Sequence, residues 1–145
     1  MWKDSQLAYL AGIIDGEGTF YIGKDNRNEK SFNSRLYVVN TDERLINWLH
    51  NNFGGLIYSR SSAKNPHWKK KFEWITHKSQ ILPICEAIYP YLVCKKEQAD
   101  IMIKFRNTFQ EKRCKNNPVP MDIHVNRLAL LSDIRKLNHR DPLPL

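Results

Sequence analysis

The sequence predicts an α+β domain: one four-stranded antiparallel sheet, helices on one face of it, and further helices at the C-terminus. Three observations carry this. Four stretches alternate apolar and polar residues with a period of two. Helical stretches interleave with them in the order α-β-β-α-β-β-α, before two more helices. At 145 residues and 17.1 kDa the chain suits one domain, taken as 1–145, which can bury a core without disulfides or a metal.

The first helix is expected over residues 5–14, with Asp4 or Ser5 as cap and Gly16 as stop. Leu7, Ala8, Tyr9, Leu10, Ala11, Gly12, Ile13 and Ile14 make it apolar almost all the way round. Such a helix is expected to be covered on both sides. Ala8, Ala11 and Gly12 would let another backbone approach closely. Residues 19–24 form a strand with Phe20 and Ile22 on one face and Thr19, Tyr21 and Gly23 on the other. Residues 25–29, including Arg27, read as a polar turn. Residues 33–40 form the second strand, with Leu36 and Val38 inward and Asn33, Arg35 and Tyr37 outward.

Thr41 or Asp42 caps the next helix, where Leu45, Leu49 and Phe53 recur at helical spacing and Gly54-Gly55 ends it. Strands follow at 56–61 and 69–76, the latter with Phe72 and Trp74 on one face and Lys69, Lys71, Glu73 and Ile75 on the other. Ser79 caps a helix to about residue 89, with Pro83 in its early turns and Pro90 closing it. Residues 97–112 form an amphipathic helix with Ile101, Phe105 and Phe109 in register. Residues 116–120 break the chain, and 123–138 form the last helix.

Lys and Arg number 23 against 15 Asp and Glu, a net charge of +8 that points to a polyanionic partner, nucleic acid or an acidic membrane surface. No apolar run approaches a bilayer span, and no signal peptide is evident. Cys85, Cys94 and Cys114 are odd in number and lie in no zinc-like cluster, so a reducing, intracellular compartment is expected.

The outward sheet face gathers Tyr21, Asn33, Arg35, Tyr37, Tyr58, Arg60, Lys69 and Lys71, with Glu73 and Ile75. Arg, Lys, Tyr and Asn on one face can bond base edges and phosphates, although an ordinary solvated face also looks polar. From Arg60 to Lys71 inclusive there are five Lys or Arg, Lys64 among them, and no acid, which suits phosphate contact. At the end of the first helix, Asp15 and Glu17 flank Gly16. A helix C-terminus repels anions, so two carboxylates there are unfavoured unless a cation binds. Oxygen donors from carboxylate and carbonyl suit Mg²⁺. On spacing alone, a solvent-exposed acidic turn is the plainer reading.

The stretch Leu10-Ala11-Gly12-Ile13-Ile14-Asp15-Gly16-Glu17-Gly18 closely resembles the nonapeptide of the LAGLIDADG homing endonucleases. It departs at Ile13 and Gly16, with the acid Glu17 counted as matching. The element order is also that family's αββαββα fold, so the resemblance covers roughly residues 5–112. Pro90-Tyr91-Leu92-Val93-Cys94-Lys95-Lys96-Glu97-Gln98-Ala99 is similar to a Pro-Phe-Leu-x-x-Lys-x-x-Gln-Ala stretch of homodimeric members.

The resemblance implies a site-specific double-strand DNA endonuclease that hydrolyses phosphodiester bonds on a long pseudo-palindromic site. With one motif the chain is expected to be a homodimer, joined through the first helix at Leu7, Ala8, Ala11 and Gly12. Glu17 would ligate Mg²⁺ (or Mn²⁺, or Ca²⁺ in a non-cleaving complex), assisted by the Gly16 carbonyl, while Asp15 is more structural. Lys95 would order hydrolytic water or stabilise phosphate charge. Asn40, or in competition Thr41, would end the second strand beside that water, with Arg44 in the same network. Arg27, Lys64 and the residues of the sheet face would contact DNA. Such proteins act in chloroplasts, mitochondria, or bacterial or phage cytoplasm. The rivals are an intron maturase binding RNA and a non-catalytic DNA-binding protein on the same fold.

Overall fold

The structure, a computed structural model, describes residues 1–61, 67–109 and 119–139, with 28–30 described by their backbone. The chain runs α1 (Asp4–Glu17), β1 (Gly18–Asp25), β2 (Asn28–Asn40), α2 (Glu43–Phe53), β3 (Leu56–Arg60), β4 (Lys71–Ile75), α3 (Lys78–Ile88), a single 3-10 turn (Tyr89–Tyr91), α4 (Lys96–Asn107) and α5 (Met121–Asn138). The strands form one antiparallel sheet in the order β1-β2-β4-β3, which is the predicted α+β architecture. Among the described residues no helix is long and apolar enough to cross a membrane.

Strand parity places Phe20, Ile22, Leu36, Val38 and Trp74 on the helix-facing side, where each is nearly or fully buried. Each such side chain contributes on the order of 2 kcal/mol by leaving water. Trp74 also donates its indole N–H to the Gly54 carbonyl at 2.7 Å. Gly54 and Gly55 take φ of 69° and 90°, a left-handed turn that glycine adopts without strain, and it brings β3 back beside β4. Helix α5 lays Leu130, Leu131 and Ile134 on the core, and Asn138 Nδ2 donates to the Phe20 carbonyl of edge strand β1 at 2.8 Å.

Several boundaries differ from expectation. The turn expected over 25–29 shrinks, because Lys24 pairs with Phe32 and, after a bulge, Asp25 pairs with Asn28. Strand β4 starts at Lys71, where its ladder with Arg60 ends, and Lys69 precedes it. Helix α1 starts at Asp4, with the Lys3 N–H donating to Gln6 Oε1 at 2.9 Å. Helix α3 starts at Lys78, one residue before the expected cap Ser79. In α2 the buried stripe is Ile46, Leu49 and Phe53, and Leu45 is only half-buried. Helix α4 ends at Asn107, because the N–H and hydroxyl of Thr108 both turn back onto the Phe105 carbonyl, at 3.1 and 2.7 Å. Phe109 is left outside it under the Arg127 guanidinium, 3.7 Å from the ring centre. Residues 110–112 lie outside the described residues.

Helix α1 is apolar almost all the way round, but this chain covers only part of it. Within the single chain Leu7, Leu10, Ala11 and Ile14 face the core, while Ala8, Tyr9, Gly12 and Gly16 are exposed. Leu7 and Ala11 therefore do not line the face expected to meet a second chain. Their side chains are spent on this chain's own core, with Ala11 at 0% exposure. Of the four residues expected there, Ala8 and Gly12 remain, one turn apart, and nothing lies within 4 Å of a side chain built on Gly12.

Candidate active site and nucleic-acid interface

Glu17 is the last residue of α1 and is exposed. Gly18 pairs with Val38 at the start of the β1–β2 ladder, so the end of β2 returns beside the end of α1. Asn40 closes β2 there and donates its Nδ2 to Glu17 Oε2. The Asn40 Oδ1 accepts the Asp42 N–H at 2.7 Å, which sets the amide's orientation. Asp42 caps α2, accepting the Arg44 N–H at 2.9 Å, and takes the Arg44 guanidinium at 2.8 and 3.1 Å. The Arg44 side-chain hydrogen bonds hold the Asp42 carboxyl below its ordinary range, and Asp42 raises Arg44 in return. Arg44 thus reaches Glu17 only through the Asp42 peptide and Asn40. Thr41 is exposed and faces a pocket it shares with Arg60, Trp68 and Lys71, so of the two competitors Asn40 meets Glu17.

Asp15, two residues before Glu17, is tied down. Its carboxylate accepts the backbone N–H groups of Val93, Cys94 and Lys95 at 2.8, 3.0 and 2.9 Å. Charge-assisted bonds to three consecutive donors fix the turn that opens α4. That turn sends the Lys95 ammonium to the Gly18 carbonyl. Burial pushes the Lys95 pKa below its ordinary value, with Asp15 pulling it back up. Lys95 therefore meets the carbonyl of Gly18, the residue that follows Glu17, a proximity which the sequence distance hides.

The donor set suits a hard cation. Glu17 offers an exposed carboxylate, and the Gly16 carbonyl lies among the last helical carbonyls, which lack intrahelical partners. One chain supplies too few oxygens to enclose an ion. Among the described residues no group of three or more His, Cys, Asp or Glu could hold a metal. A Mg²⁺-type ion that keeps waters and phosphate oxygens fits such a site; a fully enclosed zinc does not.

On the sheet, the register aligns the outward residues into rows. Tyr21 stands beside Arg35, with the guanidinium carbon 5.8 Å from the ring centre. Thr19, Tyr37, Ile75 and Leu56 form the next row; Val39, Glu73 and Tyr58 form another; Lys71 and Arg60 end the face. Arg60 is held by Glu73 at 3.4 Å, which leaves the Glu73 side chain largely covered. Asn33 pairs with Gly23, over which the Tyr21 phenol folds, and any larger side chain at 23 would collide with it. Arg27 sits exposed in the β1–β2 turn, and Lys69 is exposed ahead of β4. Lys64 and Cys114 lie outside the described residues. Cys85 is buried, its thiol pushed up to about 12 chiefly by burial, and Cys94 is exposed.

Sequence reasoning missed Val39, Leu56 and Trp68, all exposed beside the basic residues of this face. Strand parity with Tyr37 and Tyr58 was the available signal for the first two. Trp68 had none beyond its place between His67 and Lys69.

A family model described as LAGLIDADG endonuclease matches residues 10–103. The intron-encoded RNA maturase bI4 of Saccharomyces cerevisiae is 34% identical over 67 residues, 44% of this chain. The chain spans 10% of that relative's length. Among solved structures, the archaeal intron-encoded homing endonuclease I-Vdi141I, complexed with DNA, superimposes with a TM-score of 0.72 at 13% identity, covering 96% of this chain and 87% of that one. The homing endonuclease I-CvuI, in complex with its target in the presence of Ca, gives 0.68 at 16% identity over 98% of this chain and 87% of that one. At these identities the likeness is one of fold.

Proposed function

Because the chain belongs to the LAGLIDADG endonuclease family, we propose that it is a site-specific double-strand DNA endonuclease, acting as a homodimer with a divalent cation. The observation that carries this reading is Glu17, an exposed acid bonded to Asn40, followed by the Gly18 whose carbonyl accepts Lys95, and beside a basic sheet face. Glu17 and the Gly16 carbonyl would hold Mg²⁺, which supplies Lewis-acid and water-activating chemistry when bound.

The other tasks fall to the chain's own groups. The sheet face grips the major groove through Arg35, Arg60, Lys71 and their neighbours. The Asn40 amide keeps the Glu17 carboxylate aimed and offers a polar group beside the attacking water. Arg44 acts at one remove, holding the Asp42 cap against which Asn40 is set. As the water oxygen bonds to phosphorus and the phosphorus–oxygen bond to the leaving strand breaks, Lys95 stabilises the negative charge that develops. The open face of α1 accepts a second copy, which places two Glu17 residues on opposite strands. A twofold protein reads a pseudo-palindromic site. Such an enzyme works in a compartment that holds its DNA: an organelle, or bacterial or phage cytoplasm.

A random duplex library incubated with Mg²⁺, Ca²⁺ or EDTA tests this. Recurring double-strand cleavage with Mg²⁺, absent with EDTA and absent in Glu17→Gln, is expected. Recurring cleavage by Glu17→Gln, or in EDTA, would overturn the site. The likeness to the RNA maturase supports a second reading, intron RNA binding. Tight binding of structured RNA with no duplex cleaved would favour it.

A further inference from the structure

The outward sheet face is basic at its margins and apolar through its middle. Leu56 pairs with Ile75, Ile75 with Tyr37, and Tyr37 with Thr19, so four strands contribute one uncharged row. Leu56 is 49% exposed, and Ile75, Tyr37 and Thr19 are half-buried. Val39, two residues further along β2 on the same face, is 37% exposed. Arg35 stands on one side of the row, Arg60 and Lys71 on the other. The acid nearest the row, Glu73, is turned into its ion pair with Arg60.

The row sets an exposed and a half-buried aliphatic side chain, Leu56 and Ile75, side by side inside a basic face, where a bound partner would cover them. The flanking arginines and lysine commit that partner to a polyanion, and the proposed function makes it a DNA duplex. In the major groove, the one apolar group that a base edge presents is the C5 methyl of thymine. Same-face residues along a strand are about 6.7 Å apart, roughly two base-pair steps of 3.4 Å. The row therefore addresses base pairs about two steps from those that Arg35 reaches.

We propose that Leu56 and Ile75, continued by Tyr37 and the Thr19 methyl, form a thymine-reading row, so that each half-site carries thymine about two base pairs from a guanine read by Arg35. This rests on the DNA-reading function proposed above. Ile75 supplies the fixed centre of the row, since it is paired on both sides, and Leu56 supplies the exposed contact.

The test uses the full chain and a random duplex library, selected for binding in Ca²⁺. The consensus is expected to require thymine over cytosine at one or two positions in each half-site. Replacing that thymine by deoxyuridine, which removes only the methyl, should weaken binding about fourfold per half-site and about fifteenfold for both. Replacing it by cytosine should weaken binding further, and 5-methylcytosine should restore part of the loss. Leu56→Asn should flatten the preference at that position while guanine stays required at the Arg35 position. A consensus without thymine there, or equal binding of the deoxyuridine duplex, would overturn the thymine row and leave site-specific DNA binding standing. A library that yields no consensus removes the DNA-reading function, and the row with it.

Discussion

Asp15 and Glu17 are the same kind of group, two residues apart at the end of one helix, in opposite surroundings. Asp15 is bonded to three consecutive backbone N–H groups from the turn that opens α4. Glu17 is exposed, with the Asn40 amide as its hydrogen-bond partner. The C-terminus of α1 repels both carboxylates. For Asp15 the repulsion is offset by donors from the chain itself. For Glu17 it is left largely uncompensated, which is what the proposed cation-binding role calls for. The short motif thus divides into a fastening that holds the Lys95 turn and an exposed acid, to which the proposed function gives the metal.

The largest expected effect breaks this division at its reactive member. Glu17→Gln should abolish cleavage while specific binding stays within about tenfold, or about 1.4 kcal/mol. Single-turnover cleavage and a Kd in Ca²⁺ measure the two. Normal cleavage would remove Glu17 from the active site. Lys95→Met, at the end of what Asp15 fastens, should slow cleavage about a hundredfold with little change in affinity. Should affinity fall instead of rate, Lys95 anchors a phosphate.

Asp15→Ala should act through the fold. Three donors lose their acceptor at once, partly replaced by water, so stability is expected to drop by about 2–4 kcal/mol in denaturant titration. The Glu17→Gln chain should stay within about 0.5 kcal/mol of the parent, since its carboxylate is exposed. Equal losses in the two variants would erase the contrast between the two acids.

The two faces of α1 extend the comparison. Ala11→Leu overfills the core and should cost about 1–3 kcal/mol in any association state. Gly12→Leu meets open space in the single chain, so it should leave folding intact and turn a dimer into a monomer by light scattering. An unchanged dimer would place the interface elsewhere. The smallest effects belong to the sheet. Arg35→Ala should cost about 1–3 kcal/mol on the target and relax the preference at one position in each half-site. Lys71→Ala should weaken all duplexes alike and flatten the salt dependence by about two contacts per dimer. Uniform loss in both variants would mean that Arg35 touches only phosphate.

Much of this is legible in the order of residues alone. Period-two alternation of Phe20 and Ile22 against Thr19 and Tyr21 determines which side of β1 is buried, because side-chain direction in a strand follows from covalent geometry alone. A cap at Thr41 or Asp42 and a stop at Gly54-Gly55 are likewise local chemistry, and the structure chooses Asp42 and gives the glycines positive φ. The nonapeptide from Leu10 to Gly18 marks both acids as a pair.

Tertiary structure decided what depends on residues far apart in sequence. Helix α1 is apolar on every side, so periodicity carried no sign to tell Ala11, in the core, from Ala8, in the open. That choice belongs to how the helix rolls against β1 and β2. The donors that satisfy Asp15 lie about 80 residues downstream, and only folding brings them to it. Asn40 meets Glu17 because the β1–β2 register returns the strand to its starting point, and a slip by one residue would have turned the amide to the opposite face. Local propensity sets the elements and their buried sides; which two side chains meet is a property of register and packing, which a single chain read in order does not contain.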